Sequence, residues 1–129
     1  MESSVEYFAI AHLLILGISH ILMRDAWAEF FIVLREKGRA GVFLHGFLSL
    51  WFGSVVVAFH NVWAGIPAVL TAFGWLLMLK AAHCFLFPDA ALRSLDKVSR
   101  DASWKFIPAG VVYVVIGCLL ALNLGGVTT

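Results

Sequence analysis

The sequence predicts an all-α polytopic membrane protein, a single domain over residues 1–129 built as a bundle of four transmembrane helices. Three observations predict this class. The chain is 62% hydrophobic but only 13% charged, whereas about a quarter of the residues in a soluble domain are charged. Four apolar segments are long enough to cross a hydrocarbon layer of roughly 30 Å as helices. The charged residues, finally, gather in the connections between those segments.

The four predicted spans are residues 5–23, 42–59, 62–87 and 106–124. A short turn around His60 joins the second span to the third, and the two longer connections are residues 24–41 and 88–105. Two crossings separate the longer connections, so they lie on the same side of the membrane. The His60 turn and both chain termini are expected on the opposite side.

The basic residues fix the expected orientation. All nine lie in or beside the two longer connections, namely Arg24, Arg35, Lys37, Arg39, Lys80, Arg93, Lys97, Arg100 and Lys105. Because basic residues accumulate on the cytoplasmic side, the longer connections are predicted to be cytoplasmic and both termini to lie outside. We expect a bacterial-type inner (plasma) membrane. The acidic start of the chain is unlike a signal peptide, so we expect the first span to be retained.

Both longer connections are predicted to be amphipathic helices at the membrane surface. The first has Asp25 as an expected N-cap and an apolar stripe of Trp27, Phe30, Phe31 and Leu34 at helical spacing. The second has Asp89 as an expected cap, and its apolar stripe is Leu92, Leu95 and Val98. Its expected i, i+4 pairs are Asp89 with Arg93, Asp96 with Arg100 and Lys97 with Asp101. Such stripes are typical of ordinary connectors, which we favour over a partner-docking role.

The two halves of the chain resemble each other as pseudo-repeated hairpins. With Pro88 as one inserted residue, His20 aligns with His83, Asp25 with Asp89, Gly46 with Gly110 and Gly53 with Gly117. Both halves enter the membrane in the same direction, so the repeat axis would run along the membrane normal. Glycines one heptad apart share a helix face and permit close packing. We therefore expect the second and fourth spans to pack against each other.

Several function classes have no support in the sequence. The net charge of +1 and the lack of a basic run argue against nucleic-acid binding. Cys84 and Cys118 lack the spacing of a disulfide framework or a zinc site. Motifs for hydrolysis or phosphoryl transfer are missing as well, so an enzyme is not favoured.

Histidines near the cytoplasmic side are the main functional candidates. Counted along their helices, His20, His45 and His83 lie within a few ångströms of one depth, and Lys80 and Arg24 border that layer. Because ionisable groups inside a membrane are costly, these five residues are predicted to bind a cofactor. The candidates are haem b, with His20 and His83 as its ligands, a quinone, and an anionic lipid headgroup. The positive charge of Lys80 argues against a bare metal ion.

Other interpretations of the polar residues remain open. The histidines can simply hydrogen-bond within the bundle or to headgroups. His12, near mid-membrane, is expected to form an interhelical hydrogen bond. Glu6 is expected to reach water at the outer end of its helix. Trp51 and Trp75 lie near the middle of their helices, facing lipid, a partner or an internal pocket.

The function these features predict is a small accessory or cofactor-binding subunit of a larger membrane complex. Its partners would be the lipid bilayer and either another membrane protein or further copies of this chain. The first alternative is a haem- or quinone-binding redox protein that uses the cytoplasmic-side histidines. The second is a small transporter, which requires a water-accessible path to His12.

Overall fold

The computed structural model describes residues 2–126, which form six α-helices and no β-strand. The helices are α1 (Glu2–Leu22), α2 (Arg24–Glu36), α3 (Arg39–Phe59), α4 (Pro67–Leu86), α5 (Pro88–Leu95) and α6 (Phe106–Leu124), with a 3₁₀ turn at Ser103–Lys105. By length and composition, four helical segments can cross a membrane: α1, α3, α4, and α6 together with the 3₁₀ turn. The predicted all-helical class and the four apolar spans are confirmed.

The third span differs most from its predicted bounds. Its helix begins at Pro67 rather than at residue 62, and residues 60–66 form the connection from α3. Gly65 has a φ of +67°, a left-handed conformation that glycine adopts without steric cost. Pro67 follows at the start of α4, where its missing N–H is not needed. These two residues therefore end the turn and begin the helix.

The four long helices are arranged as two pairs, α1 with α6 and α3 with α4, and the pairs have few contacts with each other. The expectation that the second and fourth spans pack together is wrong, since α3 and α6 do not contact each other within residues 2–126. The glycines of the long helices instead allow close contact between the two helices of each pair. A Cβ on Gly17 would lie 2.8 Å from the carbonyl oxygen of Gly110, and one on Gly53 would lie 3.0 Å from that of Gly74.

The two pairs are joined at both ends of the bundle. At one end, here called the connector end, α2 and α5 pack beneath the long helices around Leu34, Val42 and Leu95. The other end contains the connection 60–66 and is called the turn end. Its core is formed by Val5, Ala9, Leu13, Val56, Leu70, Ile116 and Leu120. Direct contacts between the two pairs are therefore concentrated at the two ends of the bundle rather than in its middle.

The connectors differ from their predicted details. Neither Asp25 nor Asp89 caps its helix, because each carboxylate has a partner elsewhere. Asp25 accepts a hydrogen bond from Ser103 at 2.6 Å, and Asp89 accepts two from Arg39 at 2.9 and 3.0 Å. The partner of Asp89 is itself charged, which strengthens that pair of hydrogen bonds. These contacts fasten each connector to a neighbouring segment.

The helix of the second connector is shorter than predicted. This helix, α5, ends at Leu95, and residues 96–102 form turns. The expected helical pairs of Asp96 with Arg100 and Lys97 with Asp101 are therefore not formed as such, and Arg100 lies 3.7 Å from Glu29 instead. The guanidinium of Arg35 donates to the carbonyl oxygens of Leu95 and Val98. These hydrogen bonds satisfy carbonyls at the end of α5 and tie it to α2.

Candidate functional site

A cavity of about 390 Å³ lies between the two helix pairs, from the middle of the bundle toward the connector end. Its walls are mostly apolar and aromatic, and they come from α1, α2, α3, α4 and α6. The apolar lining includes Phe8, Leu13, Leu16, Phe30, Phe31, Leu48, Phe52, Phe73 and Leu77. The polar lining consists of His12, His20, His45, Ser49, Lys80 and Tyr113, with the indoles of Trp27 and Trp51. An apolar cavity with a few convergent polar groups is typical of a small-molecule site.

Three of the five predicted cofactor residues line this cavity: His20, His45 and Lys80. The other two do not. His83 is exposed on α4 with its ring 6.0 Å from that of Phe87, and Arg24 is exposed at the start of α2. Depth along a helix can be counted from sequence, but the direction in which a side chain points around the helix is set by packing.

His20 is buried and held in one orientation. Its Nδ1 lies 2.6 Å from the carbonyl oxygen of Leu16. A carbonyl can only accept, so Nδ1 carries the hydrogen, and in the neutral ring Nε2 offers a lone pair. The ring stacks on Trp27 at 4.0 Å and meets the edge of Tyr113 at 5.3 Å. Trp27 is fixed in turn by a 2.9 Å hydrogen bond to Ser19.

Three other polar groups of the cavity lack protein partners within the described residues. Within residues 2–126, no side-chain hydrogen bond or ion pair is formed by Lys80, His45 or the Tyr113 hydroxyl. His45 contacts only the edge of Phe31 among aromatic rings, at 5.1 Å. The cavity lining contains no acidic residue that would balance Lys80. Lys80 lines the cavity and is also exposed, so its ammonium group can donate at the margin of the cavity.

The wall of the cavity is incomplete between α1 and α3. Leu16, Leu48 and Trp51 line the cavity and are also 37%, 55% and 57% exposed at the outer surface. The two helices that carry them have few contacts with each other. This opening lies within the apolar helices that are long enough to cross a membrane.

A second polar group lies at the turn end and is absent from the predicted sites. Glu6 is only 5% exposed, and the side chains of His60 and Thr71 are fully buried. His60 Nε2 lies 3.0 Å from Glu6 Oε1, and its Nδ1 lies 3.1 Å from Thr71 Oγ1. The expectation that Glu6 reaches water is wrong, because the end of α3 and the start of α4 cover it.

Counting depth would have brought these three residues together. Glu6 lies near the start of α1, Thr71 near the start of α4, and His60 directly follows the end of α3. All three are thus at the same end of the bundle. The group is missed if every residue at the end of a span is assumed to reach water.

The expectations for the other polar and aromatic residues also change. His12 donates from Nδ1 to the carbonyl oxygen of Phe8 in its own helix, at 2.9 Å, rather than to another helix. Trp51 lines the cavity, whereas Trp75 lies at the surface with its indole 3.3 Å from the Asn61 side-chain oxygen. Within residues 2–126, no group of three or more His, Cys, Asp or Glu side chains is arranged to hold a metal ion.

Comparisons with models of known protein families, with curated proteins and with solved structures gave no match. The function is therefore argued from the chemistry of the site, since a helical bundle hosts many different functions. The cavity between the pairs is the principal candidate, and the buried group at the turn end is a second, separate feature.

Proposed function

We propose that the protein is a cofactor-binding membrane subunit that holds a quinone in the cavity between its helix pairs. The observation that carries this proposal is the presence of Lys80, with no acidic partner, in a cavity walled by aromatic rings. A quinone combines a flat apolar ring with oxygens that need hydrogen-bond donors. The lysine and the aromatic walls meet both requirements.

The polar lining also suits the reduced form of such a ligand. A quinone carbonyl accepts hydrogen bonds, which the Lys80 ammonium can donate. A quinol hydroxyl donates, and the lone pair on His20 Nε2 can accept. Hydroxyl groups of Ser49 and Tyr113 can take either role. Donors and acceptors at one site favour a quinone and quinol couple over a purely anionic headgroup.

The opening between α1 and α3 supports a ligand that enters from the bilayer. A quinone with an isoprenoid tail dissolves in the hydrocarbon layer, and the tail can leave the cavity past Leu48 and Trp51. A transporter of polar solutes would need a water-filled route instead. Although the cavity does reach His12, the opening beside that residue is apolar.

Haem b is the less favoured cofactor. His20 has a suitable nitrogen, but its expected partner His83 does not line the cavity. Bis-histidine ligation by this pair therefore has no support from the arrangement of the side chains. The absorption spectrum of the purified protein distinguishes the two cofactors, because haem gives a Soret band and a quinone does not.

The two halves of the bundle are proposed to be a structural repeat. In the alignment of His20 with His83, residues 77 and 84 correspond to residues 14 and 21. The close glycine contacts follow the same correspondence. Gly53 contacts Leu77 as Gly117 contacts Leu14, and Gly46 contacts Cys84 as Gly110 contacts Ile21. Equivalent helices thus use equivalent positions, which supports a pseudo-two-fold axis along the bundle.

The orientation and cellular setting are further parts of the proposal. Nine basic residues in or beside the connectors support a cytoplasmic connector end and external termini in a bacterial-type inner membrane. An accessory role in a larger complex, or a homo-oligomer, would give a bound quinone a redox partner. Co-purification with a redox partner tests that role, and a monodisperse monomer on light-scattering chromatography would contradict it.

Fluorescence quenching tests quinone binding directly. Trp27 and Trp51 line the cavity, so a short-chain benzoquinone bound there should quench them saturably in protein reconstituted into lipid nanodiscs. Lys80→Met should raise the Kd by roughly tenfold to a hundredfold, because a charged hydrogen bond contributes about 1.5–3 kcal/mol. The matched control is Lys97→Met, which removes an exposed charge from the second connector. Equal binding by both variants, or quenching without saturation, would refute the proposal.

A further inference from the structure

The buried group at the turn end joins the two helix pairs. Glu6 belongs to α1, which packs on α6, whereas His60 and Thr71 belong to the α3 and α4 pair. The hydrogen bond between His60 and Glu6 is the one side-chain hydrogen bond at this end that links the pairs within residues 2–126. None of the three residues lines the cavity proposed to hold the quinone.

Hydrogen-bond counting fixes the proton on one nitrogen of His60. Thr71 Oγ1 lies 2.7 Å from the carbonyl oxygen of Val62, its shortest contact, and the single hydroxyl hydrogen is donated there. The backbone N–H of Val62 donates back to Oγ1 at 3.1 Å. The contact of Oγ1 with His60 Nδ1 at 3.1 Å then needs a donor, which is the imidazole. Nδ1 therefore carries a hydrogen.

The second nitrogen of His60 faces the carboxylate of Glu6. If Nε2 were a bare lone pair and Glu6 an anion, two acceptors would face each other at 3.0 Å in a dry site. Burial without a hydrogen bond makes that arrangement costly. One proton must lie between the two atoms, either on the imidazolium or on the carboxylic acid. In both forms the pair is neutral overall.

We infer that Glu6 and His60 form a proton-binding site, in which one shared proton closes a clasp between the two helix pairs. Loss of the proton would set the two acceptors against each other, so proton release and opening of the turn end are coupled. The inference is independent of quinone binding.

Within residues 2–126, the surroundings contain no other group that could replace the proton. Apolar residues of the turn-end core, including Val5, Ala9 and Leu70, pack beside it. Among the ionisable residues near this end, α1 contributes Glu2 and Tyr7 and α6 contributes Cys118, all of them exposed. The adjoining turns of α3 and α4 contain no ionisable side chain. The pair must therefore balance its own charge.

Nitrogen NMR tests the shared proton. In protein labelled with ¹⁵N-histidine and reconstituted into lipid bilayers, ring shifts distinguish an N–H from a lone pair. His12 and His20 are internal references, since each donates from Nδ1 to a backbone carbonyl. We expect Nδ1 of His60 to be bonded to hydrogen and Nε2 to be shifted from the value of a free lone pair toward the protonated value, fully in the imidazolium form and in part where Glu6 keeps the proton. A bare lone pair on Nε2 of the native protein would overturn the inference.

Glu6→Gln sharpens this test without removing the side chain. The amide of glutamine can donate to Nε2 but has no acidic proton to share, so Nδ1 should stay protonated and the Nε2 shift should move toward the value of a lone pair. A contact that holds no shared proton would leave the Nε2 shift unchanged, which would also overturn the inference. The spectrum of the native protein tests the shared proton by itself, so the inference can be overturned even if Glu6→Gln folds poorly.

Thermal unfolding tests the clasp. Glu6→Leu should lower the unfolding midpoint. Adding His60→Leu to that variant should lower the midpoint by much less than His60→Leu lowers it in the native protein, because the contact is already lost. Glu2→Leu, an exposed change in the same helix, is the control and should leave the midpoint unchanged. Additive effects of the two buried substitutions would overturn the role of the pair as a clasp.

Discussion

The two polar regions of the bundle differ in whether their ionisable side chains have hydrogen-bond partners. At the turn end, the imidazole of His60 has both nitrogens bonded, and the carboxylate of Glu6 is covered and paired. In the cavity, Lys80 and His45 have no bonded partner within residues 2–126. Ionisable groups are costly in a membrane unless they are satisfied. The protein itself completes the polar contacts at the turn end, whereas the proposed function assigns that role in the cavity to a ligand.

The largest expected effect separates the two regions by stability. Removing one member of a buried charged pair destabilises a protein by about 3–5 kcal/mol, so Glu6→Leu should greatly reduce the free energy of unfolding. Lys80→Leu should leave it unchanged or increase it, because no protein contact is lost and an unpaired charge is removed. Chemical denaturation in matched detergent measures both. Similar losses for the two variants would contradict the comparison.

A second prediction concerns the two redox forms of the ligand. His20→Phe keeps the ring that stacks on Trp27 but removes the acceptor nitrogen. It should weaken quinol binding by about fivefold, the loss of roughly one neutral hydrogen bond. Quinone binding should change less, since the carbonyl relies on Lys80. Separate titrations under oxidising and reducing conditions measure the difference, and an equal loss for both forms would remove His20 from this role.

A third prediction concerns the opening between α1 and α3. Leu48→Trp places a larger side chain beside Trp51 and should slow the association of the quinone several-fold, with little effect on folding. Leu79→Trp, on an exposed surface of α4 outside the cavity, is the control. Stopped-flow quenching gives the association rates. Unchanged rates for Leu48→Trp would mean that the ligand enters elsewhere.

The smallest effect is expected at the exposed pair of Arg39 and Asp89. The hydrogen bond from the Arg39 guanidinium holds the pKa of the Asp89 carboxyl below its usual range. A lowered pKa in the folded state means that the stabilisation is present above the unfolded-state pKa and is lost as the pH falls through the folded-state pKa. Asp89→Asn should barely change stability at neutral pH, since exposed pairs contribute little and salt screens them. A large, salt-independent loss would show a stronger role.

The sequence predicts the fold better than the site, and the reason is geometric. Apolar length and charge asymmetry identify the spans because the bilayer imposes both, and depth counting brings His20, His45 and Lys80 to one level. The direction of a side chain around its helix depends on which helices form pairs. That pairing is set by close contacts such as Gly17 with Gly110, which the glycine spacing alone assigned to the wrong helices. For the same reason, the sequence gives the depth of His83 but not the direction of its side chain, which is exposed outside the cavity.

Photolabelling with an azido-quinone tests the central claim most directly. In reconstituted protein, peptide mapping should find the label on cavity residues such as Trp51 and Phe52, with labelling prevented by excess unmodified quinone and greatly reduced in Lys80→Met. The Lys97→Met control should be labelled like the native protein. Label spread over exposed apolar residues such as Leu76 and Leu79, insensitive to competition and to Lys80→Met, would contradict the account.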